Sequence, residues 1–523
     1  MIYAIILRLI CDKIFMLQIR EEERRNKMAE SNLAEKRAAR RDMMLNGVLI
    51  KVIPIVAAPM IVSMLIDGLY NMADAYFVSK LGISAIAAVG VNDALLHLMR
   101  AVALAFGMGA SSYISRLMGA KREDEACRVA TTTLFTSIAT LTVIAVGAFI
   151  IRDGLVIFLG ATEASKPYAI DYATFILISA PFTAGECACS QTLRAEGSTT
   201  YSMIGMVSGC IINLALDPLF IMKFGMGVAG AALATSISKA ISFVILLSPF
   251  IRGKTLIEIK PKFFTPKWSI YKEVAKMGIP TLLRTSVMSL SAVAVNNVAR
   301  TFGDSALAAV SVANKCNRLV GSAIMGFGQG FQPIGGYCWG ARRYKRVRSA
   351  FWTCTAIGAC VAVVVGGLMF IFSPQILELF MKAEHDAETM RIGTLMIRTQ
   401  CVTMFPHAWV MIINGLYQAL GRPIESTVMS LSRQVICLLP MVLILTKIFG
   451  VNGLACAQAS ADVLSMLIAV PLIVREMRIM NKLEDGQEPP AMYGRKKKAE
   501  AAAASPGPAE ETAVTEEEVI PEE

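Results

Sequence analysis

The sequence predicts an all-α membrane protein with twelve transmembrane helices in two parallel six-helix lobes, related by a pseudo-twofold axis. Three observations support this fold class: an apolar composition, twelve apolar stretches of bilayer length, and an internal duplication. Of 523 residues, 55% are hydrophobic and only 17% are charged, and the mean hydropathy is +0.56. A soluble protein with an ordinary core is less apolar, so the chain is predicted to cross a membrane many times.

Twelve stretches are long enough to cross a bilayer as helices, because about 20 apolar residues span its hydrocarbon core. They lie near residues 48–79, 84–115, 127–151, 167–193, 198–222, 226–251, 271–300, 304–338, 347–373, 389–420, 424–446 and 450–474. Six of these spans fall in each half of the chain. The predicted domains are an amino-terminal lobe at 46–251, a cytoplasmic linker at 252–270 and a carboxy-terminal lobe at 271–475.

An internal duplication relates the two halves. The stretch from Gly82 to Ala120 matches the stretch from Gly303 to Ala341 at a constant offset of 221 residues, without a gap. The same offset places Pro59 on Pro280. Because both copies lie in apolar runs, the repeat predicts two similar half-bundles with a space between them, an arrangement typical of secondary transporters.

Basic residues predict the orientation of the spans. Lys and Arg collect in the amino-terminal tail and in the loops after spans 2, 6 and 8, whereas the alternate loops contain few. The protein is expected to lie in the cell membrane. By the positive-inside rule, both termini and these loops are expected to face the cytoplasm. This asymmetry accounts for the net charge of +11 without a nucleic-acid partner.

The two chain ends are predicted to be tails. Residues 1–45 form a basic cytoplasmic segment, whose first 17 residues are apolar but interrupted by Arg8, Asp12 and Lys13. Two interpretations stay open: an interfacial amphipathic helix, or an artefactual extension with initiation at Met28 or Met43. Residues 476–523 are predicted to be a disordered cytoplasmic tail, because their Lys, Ala, Pro and Glu cannot form a core.

Span 1 carries a polar stripe within the membrane, where every charged side chain requires a specific environment. The stripe consists of Asp67, Tyr70, Asn71 and Asp74. Their i, i+3, i+4 and i+7 spacing places them on one helical face. This face is predicted to line a polar cavity, because lipid cannot lie against it.

A second polar pair in span 5 is predicted to face this stripe. Asn213 and Asp217 are four residues apart, and Asp217 lies six residues before Lys223, as Asp74 lies six residues before Lys80. Spans 4 and 6 supply Tyr172 and Thr235 at a similar depth. Oxygen ligands suit Na⁺, and two neighbouring carboxylates repel each other so that one of them holds a proton, so either ion fits.

The second half lacks this chemistry. Met288 and Val295 stand where Asp67 and Asp74 stand in the first half, and Leu439 and Pro440 lie near the place of Asp217. Coupling is therefore expected in the first lobe alone. Glu186, inside span 4, is a further candidate for contact with a cationic substrate.

Other functional classes find little support in the sequence. No nucleotide-binding loop of the form G-x-x-x-x-G-K-[ST] occurs, so ATP use is not expected. The chain has three His residues and no metal-spaced cluster or nucleophile–base pair, so an enzyme is not expected and neither is a cofactor beyond a coupling ion.

Several motifs in these spans resemble the multidrug and toxic compound extrusion (MATE) family, and within it the prokaryotic MepA and DinF type. They are P-x₁₀-Y-N-M-A-D from Pro59, L-G-x-x-A-I-A-A-V-G from Leu81, L-R-A-E-G from Leu193, N-L-A-L-D-P-L-F-I from Asn213 and G-M-G-V-A-G-A-A from Gly225. The resemblance covers roughly residues 45 to 475. It implies a twelve-helix antiporter with two lobes in a V, which exports organic cations and drugs against H⁺ or Na⁺.

The resemblance also implies roles for individual residues. The cation site of the first lobe, for H⁺ or Na⁺, is expected at Asp74, Asn213, Asp217 and Thr235. Tyr70 and Tyr172 are expected to line the same cavity, and Pro59 to be a kink whose bending narrows the lobe. The carboxy-lobe acids that bind cations in other branches of the family have no counterpart on span 7, which leaves Na⁺ and H⁺ both open.

An alternative cargo is a lipid-linked oligosaccharide, moved by a flippase of the same superfamily. Its pyrophosphate would require Arg or Lys residues facing the cavity, whereas the buried charges identified in the first half are mainly acidic. Small organic cations are therefore the expected cargo, carried through the lipid bilayer by a monomer.

Overall fold

The structure, a computed structural model, describes residue 35 and residues 38–79, 81, 83–380 and 387–486. It confirms the all-α fold: the described residues contain helices and no strand. The amino lobe contains α1 (Leu49–Ser79), α2 (Ile83–Gly119), α3 (Glu123–Ile150), α4 (Lys166–Ile178 and Ala180–Ala195), α5 (Thr199–Pro218, extended by the π-helical Leu219–Lys223) and α6 (Gly227–Ile251).

The carboxy lobe repeats this order. It contains α7 (Trp268–Arg300), α8 (Asp304–Gly340), α9 (Tyr344–Ile371), α10 (Ala387–Val402 and Met404–Leu420), α11 (Pro423–Leu431, the π-helical Ser432–Leu438 and the start of Leu439–Glu484) and α12 (the rest of Leu439–Glu484). The boundary between α11 and α12 lies at Gly450, whose φ of 57° is left-handed. Short helices at Arg152–Phe158 and Ser373–Phe380 follow α3 and α9 at the 221-residue offset.

Twelve membrane crossings follow from the lengths of these helices. Within the described residues, eight helical segments are individually long and apolar enough to cross a membrane, and the two parts of α4, bent by 46°, make a ninth. The segment Pro423–Glu484 counts once among the eight, but its turn at Gly450 makes it two crossings. The long α8 and the interrupted α10 complete the set.

The chain ends differ in part from the prediction. Helix α12 continues to Glu484, so the predicted tail boundary at 475 is too early. Glu476 is buried beside Arg422, with 3.4 Å between their side-chain N and O atoms, and Met480 is fully buried, so this last part of the helix has tertiary contacts. Residues 38–46 are helical as well. The predictions for residues 1–34 and 487–523 concern positions outside the described residues.

The two lobes pack through equivalent helices, α1 against α8 and α7 against α2. Two glycines related by the duplication allow the closest approach. A Cβ atom on Gly119 would lie 2.2 Å from the carbonyl oxygen of Tyr337, and one on Gly340 would lie 2.0 Å from that of Arg116. Tyr337 and Arg116 are themselves 221 residues apart, so this contact is pseudosymmetric.

This contact lies at the end of the molecule that carries the basic loops after α2, α6 and α8, here called the basic end. Further bonds join the lobes nearby: Tyr337 donates to the carbonyl of Glu196 at 3.3 Å, and Arg116 lies 3.6 Å from Glu273. The other close backbone contacts between the lobes, of Gly326 with Ile61 and of Gly278 with Ala105, lie in the same half of the molecule. The space between the lobes, here called the cleft, therefore opens away from the basic end.

Candidate functional site

Asp74 and Asp217 lie close enough to interact electrostatically in the half of the amino lobe away from the basic end. Asp217 is fully buried in the last turn of α5, directly before Pro218 and the π-helical segment. Asn213 joins it to α6: its Nδ2 donates to Oδ2 of Asp217 at 3.0 Å, and its Oδ1 accepts from the backbone N–H of Thr235 at 3.1 Å. Residues from α1, α5 and α6 thus form one polar site.

Each carboxylate retains an unpaired oxygen. Oδ1 of Asp74 and Oδ1 of Asp217 are buried and have no hydrogen-bond partner among the described residues. Two unneutralised carboxylates at this depth would be strongly destabilised by desolvation and mutual repulsion. The geometry therefore calls for a proton or a cation at this place. The donors at this place are carboxylate, amide and hydroxyl oxygens, which suit a hard cation better than a soft transition metal.

Two phenols adjoin the carboxylates. Tyr172 of α4 is buried and interacts electrostatically with Asp74, Asp217 and Tyr70. Tyr70 of α1 interacts electrostatically with both carboxylates and lies near Thr235. The structure thus brings together the six residues that the sequence placed at one depth. The side chain of Asn71, the remaining member of the α1 stripe, is outside the described residues.

Pro59 lies in α1 closer to the basic end, where α1 packs against α8. A Cβ atom on Gly326 of α8 would lie 2.8 Å from the Cα atom of Ile61, so the two backbones are in direct contact there. Ser63 donates to the carbonyl of Pro59 at 2.7 Å, and α1 continues as one helix past it. A change of bend at Pro59 would therefore alter the contact between the lobes.

Asp67 and Glu186 have basic partners. Nη2 of Arg100 in α2 lies 2.7 Å from Oδ2 of Asp67, and Nζ of Lys239 in α6 lies 2.9 Å from Oε2 of Glu186. Ser242 also donates to Glu186, at 3.0 Å. The expectation of a mainly acidic cavity in the first lobe is therefore wrong for this level, because a base accompanies each acid.

Three functional candidates were missed by the sequence interpretation: Asp93, Lys239 and Arg318. Asp93 of α2 is exposed and interacts electrostatically with Asp74 on its own lobe and with Arg318 of α8 on the other. Asp93, His97 and Arg100 follow an i, i+4, i+7 pattern that could have identified this face of α2. Lys239 is the only charged residue in the predicted span 226–251, and that isolation was its signal.

The carboxy lobe has a different buried charge arrangement. Nε of Arg433 in α11 lies 2.5 Å from Oδ1 of Asp462 in α12. Both line a small cavity of about 50 Å³ together with Asn317 and His407. Here one acid faces one base, so the described part of this lobe shows no counterpart of the Asp74–Asp217 pair.

Comparison with known proteins agrees with this architecture. A family model described as MatE matches residues 59–219 and 280–444, one stretch in each lobe. The multidrug export protein MepA of Staphylococcus haemolyticus (strain JCSC1435) is 26% identical over 416 residues, which are 79% of this chain and 91% of that protein.

Two solved structures are similar over most of the chain. One is described as MATE in complex with MaL6; it has a TM-score of 0.81 and 26% identity, and the match covers 84% of this chain and 99% of that one. The other is an outward-facing conformation of a multidrug resistance MATE family transporter of the MOP superfamily. Its TM-score is also 0.81 at 26% identity, with 84% of this chain and 98% of that chain covered.

Proposed function

Because the chain belongs to the MatE family of multidrug efflux transporters, we propose that it exports organic compounds, mostly cations, by antiport with H⁺ or Na⁺. The protein is a multi-pass membrane protein with two six-helix lobes. The observation that carries the proposal is the pair Asp74 and Asp217, each with one buried and unpaired oxygen.

The pair provides a physical route to coupling. An ion gradient drives export only when the ion binds one conformation of the carrier more tightly than the other. Closing the amino lobe around Asp74 and Asp217 would remove water from both carboxylates, which makes the uncompensated pair costly and favours the ion-bound form. Thr235, Tyr70 and Tyr172 supply further oxygen atoms near the same ion, and Asn213 holds Asp217 in place through its amide.

The orientation and setting are part of the proposal. With the basic end in the cytoplasm of a cell membrane, both termini are cytoplasmic and the cleft opens outward. The two lobes, residues 46–251 and 271–475, move relative to each other about the linker at 252–270. The last helix of the second lobe extends to Glu484. The carrier acts as a monomer, confers resistance to toxic compounds, and uses no ATP or cofactor other than the ion.

A transport assay tests the proposal. The purified protein is reconstituted into liposomes that are loaded with ethidium. An H⁺ gradient and a Na⁺ gradient are then imposed in separate experiments. We expect uphill ethidium movement with at least one gradient and its loss when an ionophore collapses that gradient. Absence of uphill movement with either gradient would contradict antiport. A lipid-linked oligosaccharide in the same liposomes is expected to stay in its leaflet.

A further inference from the structure

Two ion pairs lie side by side in the middle of the amino lobe. One joins Asp67 to Arg100 at 2.7 Å and the other joins Glu186 to Lys239 at 2.9 Å. The pairs also interact with each other, because Arg100 interacts electrostatically with Glu186 and Lys239 with Asp67. Four helices, α1, α2, α4 and α6, therefore contribute to one charged cluster.

A third cation gives this cluster an excess of positive charge. Arg194 of α4 is buried and interacts with Asp67 and Glu186, but its own hydrogen bonds go to neutral groups. Its Nε donates to Ser202 at 3.0 Å, and its Nη1 donates to Gln329 of the carboxy lobe at 2.6 Å. Three bases thus share two carboxylates.

The bases are more accessible than the acids. The side chain of Arg100 is 47% exposed and that of Lys239 is 30% exposed, against 16% for Asp67 and 11% for Glu186. Charged groups in the middle of a membrane span cannot face lipid at a reasonable cost, so the exposed parts face the cleft. A compound in the cleft therefore meets the cationic ends of these pairs first.

Spare hydrogen-bond donors remain on both bases. A guanidinium has five N–H groups and an ammonium has three; Arg100 donates to one oxygen of Asp67 through Nη2, and Lys239 contacts one oxygen of Glu186, Oε2. A cargo carboxylate can therefore bind Arg100 and Lys239 without breaking either pair. Charge-assisted bonds of this kind are stronger than neutral ones.

The cluster also lies at a suitable distance from the acidic site. Asp67 and Asp74 are seven residues apart on the same helix, which corresponds to about 10 Å along the axis. The wall of the amino lobe thus presents an acidic site and, about 10 Å closer to the basic end, a basic one. A compound with a cationic end and an anionic end complements both.

We propose that Arg100 and Lys239 bind an acidic group of the cargo, so that this carrier prefers amphoteric compounds to simple cations. The inference rests on the proposed export function and adds the second charge of the substrate. The cationic end of the cargo points toward Asp74, Asp93 and Asp217, and its carboxylate or sulfonate contacts the two bases. Arg100 and Lys239 then determine specificity, separately from ion coupling.

Rhodamine 110 and rhodamine 123 test this preference, because they share one cationic ring system and differ in a free carboxyl group against its methyl ester. Binding to the purified wild-type protein is measured first, by fluorescence polarisation and without any gradient. We expect the free acid to bind about tenfold more tightly, the effect of one charge-assisted hydrogen bond. Equal binding, or tighter binding of the ester, overturns the inference.

Variants at the second pair sharpen the test. Lys239→Gln should reduce the acid-to-ester binding ratio by about tenfold, Lys239→Arg should preserve it, and Glu186→Gln should raise it because the competing carboxylate is gone. A pair that only holds α4 to α6 would weaken both dyes together in Lys239→Gln and Glu186→Gln alike, and that result contradicts the inference. Lys254→Gln, at an exposed position of the linker, is the matched control.

Gradient-driven transport separates the two levels of the proposal. Uphill export of the ester with no preference for the acid in the binding assay leaves antiport standing and removes the amphoteric preference. A preference for the acid without any gradient-driven export supports the amphoteric preference and contradicts antiport. The two results are independent, because the binding ratio is measured at equilibrium and does not depend on coupling.

Discussion

The two lobes share an architecture but differ in the chemistry of their interiors. Both have six crossings, a short helix at the same offset and a glycine against the partner lobe. Within the part of the chain that the structure describes, the two carboxylates with unpaired oxygens, Asp74 and Asp217, both lie in the amino lobe, whereas the carboxy lobe holds the ion pair of Arg433 and Asp462. Duplication thus accounts for the scaffold and the lobe contact, whereas the pair of unpaired carboxylates belongs to one copy.

The largest difference between the lobes should appear in coupling. Asp74→Asn and Asp217→Asn each keep the side-chain shape and remove a charge that the ion requires, so gradient-driven ethidium export should fall to background while dye binding persists. Export in liposomes and dye binding in detergent measure the two effects. Asp171→Asn, an exposed acid on α4, serves as the control. If Asp217→Asn exports ethidium at the wild-type rate, the role of Asp217 is packing alone.

The carboxy-lobe pair should affect stability and leave coupling intact. Asp462→Asn leaves the guanidinium of Arg433 buried beside a neutral group, and breaking a buried pair in this way costs about 3 to 5 kcal/mol of unfolding free energy. Thermal unfolding in detergent should show the loss, while export per folded molecule remains driven by the gradient. Loss of coupling in folded Asp462→Asn would show that both lobes handle the ion.

The glycine contact should respond symmetrically. Gly119→Ala and Gly340→Ala each place a Cβ atom about 2 Å from a backbone carbonyl of the other lobe, so each should cost about 1 to 3 kcal/mol through overpacking at the basic end. Unfolding temperatures of the two variants should fall by similar amounts. Gly147→Ala and Gly367→Ala, where no atom lies within 4 Å of the added Cβ, are matched controls. A fall in unfolding temperature in one of the two variants alone would contradict the pseudosymmetric contact.

The smallest effect is expected within the amino lobe itself. Asp67→Asn removes the partner of Arg100, but Arg100 is half exposed and retains water and Glu186 as neighbours. Ethidium export should therefore decrease by less than about tenfold and remain gradient-driven, since the residue lies about 10 Å from Asp74. Initial export rates at matched protein levels measure this. A complete loss like that of Asp217→Asn would extend the ion site to the basic cluster.

The sequence predicted the helices and the acidic site for identifiable reasons. Apolar length defined the twelve crossings, and equal depth from the span ends placed Asp74 beside Asp217. It did not predict the partners of Asp67 and Glu186, because a lone Lys239 or Arg100 in an apolar span does not reveal which neighbouring helix its side chain reaches. The predicted start of the carboxy-terminal tail was wrong for a similar reason, because the burial of Glu476 depends on Arg422, which is far away in the sequence.

In the proposed antiport, the amino-lobe carboxylates hold the ion in one state of the carrier and release it in the state that binds cargo. The most direct measurement is ion release on cargo binding, recorded for purified protein in weakly buffered detergent with a pH indicator or a Na⁺-selective electrode. Ethidium added to the wild type and to Asp462→Asn should release H⁺ or Na⁺ in proportion to the dye bound, and Asp217→Asn should bind dye without release. Equal release by Asp217→Asn, or release lost only in Asp462→Asn, would contradict the account.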